Sequence, residues 1–156
     1  KEEDKEEKRL MRHYVLASHA YLSQGFVSAL RLIIGEQANL KYYCAYVDEE
    51  QEHFKDRILA DLAILPPEDE VIVMTDMFGG SVNNELMELI HRNGIHLVTG
   101  VNLALIIGIL LADATEPAET LLPRMIEEAR EGMLYCNEID MENANPLDDF
   151  GEDVYR

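Results

Sequence analysis

Val71-Ile72-Val73-Met74-Thr75-Asp76-Met77-Phe78-Gly79-Gly80-Ser81 is the stretch that decides the fold. Residues 71–75 form an apolar run rich in β-branched side chains. Such a run, bounded by turn residues, reads as a strand buried on both faces. Asp76 stands where the strand ends. Two glycines make the turn, and Ser81 opens a helix over 81–93 that Gly94 closes. Strand, short loop and helix in direct succession are the unit of a parallel sheet.

The same rhythm extends both ways. Upstream, a helix over 49–65 carries Phe54, Ile58, Leu62 and Leu65 on one side and ends at Pro66-Pro67. Before it come a Tyr- and Val-rich strand over 40–47 and a helix with Phe26, Val27, Leu30, Ile33 and Ile34 on one face. Ser23 is its expected cap and Gly35 its stop. A first strand spans 14–17. Downstream lie a strand over 95–99, helices over 103–112 and 117–131, and a short last strand over 133–136. The expectation is an α/β fold: an open, mostly parallel central sheet with helices on both faces. Ligands of such sheets bind beyond the carboxyl ends of the strands, here just after Ala17, Val47, Thr75 and Thr99.

A chain of 156 residues has the usual size of one domain, and 47% hydrophobic residues suffice for one core. The net charge of −18 repels nucleic-acid phosphates and favours partners with basic faces. Residues 1–10 read as a tag or disordered arm, with Met11 the natural start; 11–136 form the domain. Residues 137–156, with seven acids and one base, read as an acidic, flexible tail. Cys44 and Cys136 read as buried reduced thiols. The longest apolar run, 101–112, is too short to span a bilayer, so the expected location is cytoplasmic, without membrane insertion.

Two strand ends carry chemistry. Ser18-His19-Ala20 follows the first strand and Asp76 the third. Parallel neighbours bring His19 and Asp76 to one sheet edge. The carboxylate then accepts the N–H of one imidazole nitrogen and leaves the other as a nucleophile. Gly79-Gly80-Ser81 offers free backbone N–H groups and a hydroxyl at a helix start, which suits an anion. A nucleophilic His, an orienting Asp and an anion cradle fit metal-independent phosphoryl transfer to the histidine, with no cofactor. His13, His53, His91 and His96 read as structural.

At these residues the sequence resembles the enzyme IIA component of the mannose-type (mannose/fructose/sorbose) bacterial sugar phosphotransferase system. The likeness rests on four stretches in the family's order: Val15-Leu16-Ala17-Ser18-His19, Leu32-Ile33-Ile34-Gly35-Glu36-Gln37, Val73-Met74-Thr75-Asp76-Met77-Phe78-Gly79-Gly80-Ser81 and Thr99-Gly100-Val101-Asn102-Leu103. The resemblance implies a homodimer with an exchanged C-terminal edge strand, for which 133–136 is the candidate. It implies that the phosphocarrier HPr phosphorylates His19, that a IIB domain discharges it for sugar uptake, and that the assembly associates with membrane IIC and IID components. Asp76 matches the carboxylate that bonds the histidine, and Ser81 the serine near the phosphoryl group. Ala20, Val82 and Ala104 depart from the family's Gly, Pro and Pro. The alternatives are a phosphotransfer subunit of a dihydroxyacetone kinase and a regulatory domain phosphorylated on His19. An aspartyl-phosphate receiver lacks its acids after the first strand, and a Ser-His-Asp hydrolase lacks its G-x-S-x-G elbow.

Overall fold

A computed structural model of the chain describes residues 10–47 and 53–140. Four strands, β1 (Arg12–His19), β2 (Leu40–Ala45), β3 (Glu70–Thr75) and β4 (Ile95–Val98), form one parallel sheet in the order β2-β1-β3-β4. Helices α1 (Leu22–Ile34), α2 (Phe54–Ala63), α3 (Ser81–Leu86), α4 (Leu103–Leu111) and α5 (Ala118–Glu131) cover its two faces. The α/β architecture is the expected one.

Alternation along the strands builds the layers. Tyr14, Leu16, Ile72 and Met74 pack against Leu30 of α1, Ile106 and Ile109 of α4 and Leu121 of α5. Val15, Ala17, Val71 and Val73 face the other way, against Phe54 and Ile58 of α2 and Val82 and Leu86 of α3. Neighbouring side chains of a strand point to opposite faces. A strand covered on both sides must therefore be apolar at every position, as 71–74 is.

Register then sets the site. Ala17 lies opposite Thr75, so the chain leaves β1 and β3 at the same level. β1 also pairs with β2 on its other side, so the winding of the sheet reverses between β1 and β3. The crevice at that reversal receives His19 and Asp76.

Several elements differ from expectation. Ser23 does not cap α1; it lies inside the helix. The Ser18 hydroxyl performs that task from the end of β1, accepting the Ser23 N–H at 2.6 Å and the Ser23 hydroxyl at 2.7 Å. The helix expected over 81–93 changes pitch after Leu86 into a 3-10 turn, Met87–His91. That three-residue repeat brings both Leu86 and Leu89 to full burial. β2 stops at Ala45 because Tyr46 turns left-handed, at φ 64°. α2 starts at Phe54, capped by His53, and residues 49–52 of its expected first turn lie outside the described residues. Residues 133–136 form no strand within the chain. Met133, Leu134 and Tyr135 are exposed, and Cys136 begins a 3-10 turn, Cys136–Glu138. Cys136 is accordingly exposed rather than buried, and Cys44 is half-buried. Residues 1–9 of the expected arm and 141–156 of the expected tail lie outside the described residues.

The Ser18–Ser23 pair joins β1 to α1 immediately before His19. Replacing Ser18 with Ala strands a buried N–H and a buried hydroxyl. Urea unfolding should show a loss of about 1–3 kcal/mol, whereas a solvated pair would lose almost nothing.

Candidate functional site

His19 ends β1 with its side chain 37% exposed, and Asp76 follows β3 with its side chain 9% exposed. One carboxylate oxygen, Asp76 Oδ2, accepts both the His19 backbone N–H (2.9 Å) and the imidazole Nδ1–H (2.8 Å). Two donors from one residue fix the position and the plane of the ring together. Burial pushes the Asp76 carboxyl up. The His19 backbone N–H, the imidazole N–H and its charge outweigh this and hold the carboxyl below its ordinary range. Asp76 is an anion at neutral pH, aimed at Nδ1.

With Nδ1 protonated, Nε2 holds the lone pair. It faces the Ser81 hydroxyl at 3.1 Å, which donates to it. Gly79 turns left-handed at φ 76°, and Gly80 packs directly under the imidazole. A Cβ on Gly80 would lie 3.0 Å from His19 Cε1 and 2.8 Å from Met77 Cγ. Only glycine lets the turn approach this closely. Thr75 anchors the turn from behind: its hydroxyl donates to Oδ1 of the fully buried Asn83 at 2.8 Å. The structure thus brings His19, Asp76, Gly79, Gly80 and Ser81 together.

Carboxylate pairing alone does not single out His19. His13 pairs with Asp69, His53 with Glu85 and His96 with Glu70, each through Nε2. Among the described residues only His19 meets its carboxylate through Nδ1, which leaves Nε2 outward at the sheet's carboxyl edge. One group of possible metal ligands occurs among the described residues: Glu70, His96 and Glu119. It sits at the opposite end of the sheet, where the two Glu70 oxygens already meet Arg12 at 2.5 Å and His96 at 3.2 Å.

Two features escaped the sequence. Tyr46 places its ring 5.9 Å from that of His19, and its hydroxyl donates to Glu85 Oε1 at 3.2 Å. Its place just after β2, a strand end on the ligand edge, was the available signal. Ala20 is left-handed at φ 48°, which explains why glycine suits that position. A side chain held in this region costs about 1–3 kcal/mol. Val82 is fully buried against the sheet, and Ala104 is exposed on the first turn of α4, which Asn102 caps through the Leu105 N–H at 2.8 Å.

Comparison with known proteins gives the family and the fold. The family model EIIA-man, PTS system fructose IIA component, matches residues 13–126. The chain belongs to this family. The PTS system mannose-specific EIIAB component of Escherichia coli K12 is 24% identical over 134 residues, which are 85% of the present chain. The chain spans only 42% of that protein's length. Among solved structures, a Klebsiella pneumoniae chain described as a phosphoenolpyruvate-dependent sugar phosphotransferase system permease is 39% identical. It covers 84% of this chain and 95% of its own, with a TM-score of 0.77. Component EIIA from Streptococcus agalactiae, at 21% identity, covers 83% and 100% with a TM-score of 0.69, and shares the fold. The four stretches that carry the resemblance fall inside the EIIA-man match. Among the described residues no helix is long and apolar enough to cross a membrane.

The depressed Asp76 pKa gives a signed prediction for this EIIA-man domain. Its stabilising effect is present above the unfolded-state value of about 3.9 and disappears as pH falls through the lower folded-state value. Urea midpoints of wild type and Asp76→Asn should therefore differ in favour of wild type above about pH 4 and converge in stronger acid. A gap constant with pH would contradict the ionised bond.

Proposed function

We propose that the chain is a phosphoryl-relay protein of a sugar phosphotransferase system, a phosphotransferase in which His19 accepts phosphate from HPr and passes it to a IIB domain during sugar uptake. The observation that carries this reading is the orientation of His19: Nδ1 on the Asp76 carboxylate, Nε2 turned to the Ser81 hydroxyl. EIIA-man membership supports the phosphotransferase-system context.

The geometry suits a reversible transfer. His19 Nε2 attacks phosphorus as the donor's bond to phosphorus breaks, and the donor group leaves with that electron pair. Positive charge develops on the His19 ring, and Asp76 stabilises it through Nδ1–H. The Ser81 hydroxyl turns from Nε2 to a phosphoryl oxygen, while the Gly80 N–H stays on the Met77 carbonyl at 3.3 Å and holds the turn in place. Discharge runs the same steps backwards onto the acceptor. The residues named supply positioning and charge, which is most of what phosphoryl transfer requires.

The surroundings support protein partners. Tyr21, Leu22, Met77 and Phe78 are exposed immediately after His19 and Asp76. Apolar groups gathered around a reactive side chain suit a docking protein. With a net charge of −18, a basic rim on that partner is favoured. Homodimer formation belongs to the proposal too. The apolar residues Met133, Leu134 and Tyr135 lie exposed, and β4 ends the described sheet with an open edge. The proposed location is the cytoplasm, beside membrane IIC and IID components.

Incubation with phosphoenolpyruvate, enzyme I and HPr should label the wild type with an acid-labile, base-stable phosphate and leave His19→Ala unlabelled. Asp76→Ala should stay folded by circular dichroism and transfer slower by on the order of 100-fold. An unlabelled wild type, or equal label on His19→Ala, would overturn the proposal. Transfer to a dihydroxyacetone kinase, with none to any IIB domain, would replace the acceptor.

A further inference from the structure

Backbone strain is concentrated at one place. Among the described residues two that are not glycine adopt positive φ, Ala20 at 48° and Tyr46 at 64°. They leave neighbouring strands β1 and β2 side by side, and the Ala20 N–H bonds the Ala45 carbonyl at 2.9 Å. Both border His19. A bulky aromatic in the left-handed region is an outlier, and such strain gathers where function requires a fixed geometry.

Tyr46 gains little from burial that would explain the strain, since it is 58% exposed. Its contacts form a brace instead. The ring tilts at 44° over the His19 imidazole and meets Phe54 edge-on at 5.8 Å. The hydroxyl donates to Glu85 Oε1 on α3, the helix that also carries Ser81. The other oxygen, Glu85 Oε2, accepts from His53 Nε2 at 3.2 Å. The His53 Nδ1 accepts the Lys55 N–H, so the neutral ring already carries its proton on Nε2. Glu85 is thereby held from two sides and holds Tyr46 in turn.

We infer that Tyr46 is a positioning residue for phosphoryl transfer. It walls the His19 ring on one side while Asp76 fixes its edge, so that Nε2 stays directed at the Ser81 turn. The inference deepens the relay reading above and rests on it for its consequence on rate. The orientation itself is independent of that reading. Left-handed φ at residue 46 turns the chain so that the ring lies over the imidazole instead of continuing β2.

Two variants test this. Tyr46→Asn keeps a residue that tolerates the left-handed region and removes the wall. Tyr46→Phe keeps the wall and removes the Glu85 brace. The expected result for Tyr46→Asn is a melting temperature at or above that of wild type, with His19 phosphorylation at least tenfold slower in single turnover. Its imidazole ¹H–¹⁵N signals should be broadened by exchange. Tyr46→Phe should be slowed about threefold, with intermediate line widths. Wild-type rate and line widths in both variants, in a protein whose His19 is labelled, would overturn the inference. If Tyr46→Asn does not fold, Tyr46→Phe decides by the same two readouts. If the wild type takes no label, the relay reading fails by itself, and the line widths still decide whether Tyr46 orders the ring.

Discussion

One carboxylate oxygen, Asp76 Oδ2, takes two hydrogen bonds from His19, and the rest of the site depends on it. The bond from the backbone N–H places the residue. The bond from Nδ1 chooses the tautomer. Both exist because β1 and β3 are parallel neighbours in a register that ends them level, with Ala17 opposite Thr75. That register follows from side chains of fitted size on two covered faces, and slipping it by one residue would exchange the two packed layers and mismatch both. The packing of Leu16, Ile72 and Met74 therefore reaches the chemistry through strand geometry.

The contrast with the other histidines sharpens the point. His13, His53 and His96 also lie against carboxylates, but each spends its outer nitrogen, Nε2, on the contact. These rings are tied to the fold by the nitrogen that would otherwise face outward. At His19 the inner nitrogen is engaged and the outer one is presented. A difference of ring orientation separates structural histidines from a candidate nucleophile. It is held by Asp76 on one side, the Gly79-Gly80 turn beneath and Tyr46 across the ring.

Much of this was legible in the residues. The uninterrupted apolar run 71–75 announced a doubly covered strand, and from it came the parallel sheet, the ligand edge and the meeting of His19 with Asp76. What escaped depends on distance along the chain. Ser23 has the composition of a cap, but Ser18, five residues earlier and on another element, supplies the oxygen. The buried bond from Thr75 to Asn83 joins a strand to a helix. Tyr46 looks like a strand residue until its φ is known. Residues 133–136 have strand-like composition and form no strand among the described residues of one chain, where Cys136 starts a 3-10 turn instead. Local propensity is readable in a window; partners brought by the fold are not.

The central claim is that Asp76 assigns the nucleophile to Nε2 of His19. Long-range ¹H–¹⁵N and ³¹P spectra of the phosphorylated protein, with ¹⁵N-labelled histidine, test it most directly. The account predicts one phosphorus, coupled to Nε2 of His19, with Nδ1 still protonated. Phosphorus on Nδ1, or on any histidine other than His19, would contradict it.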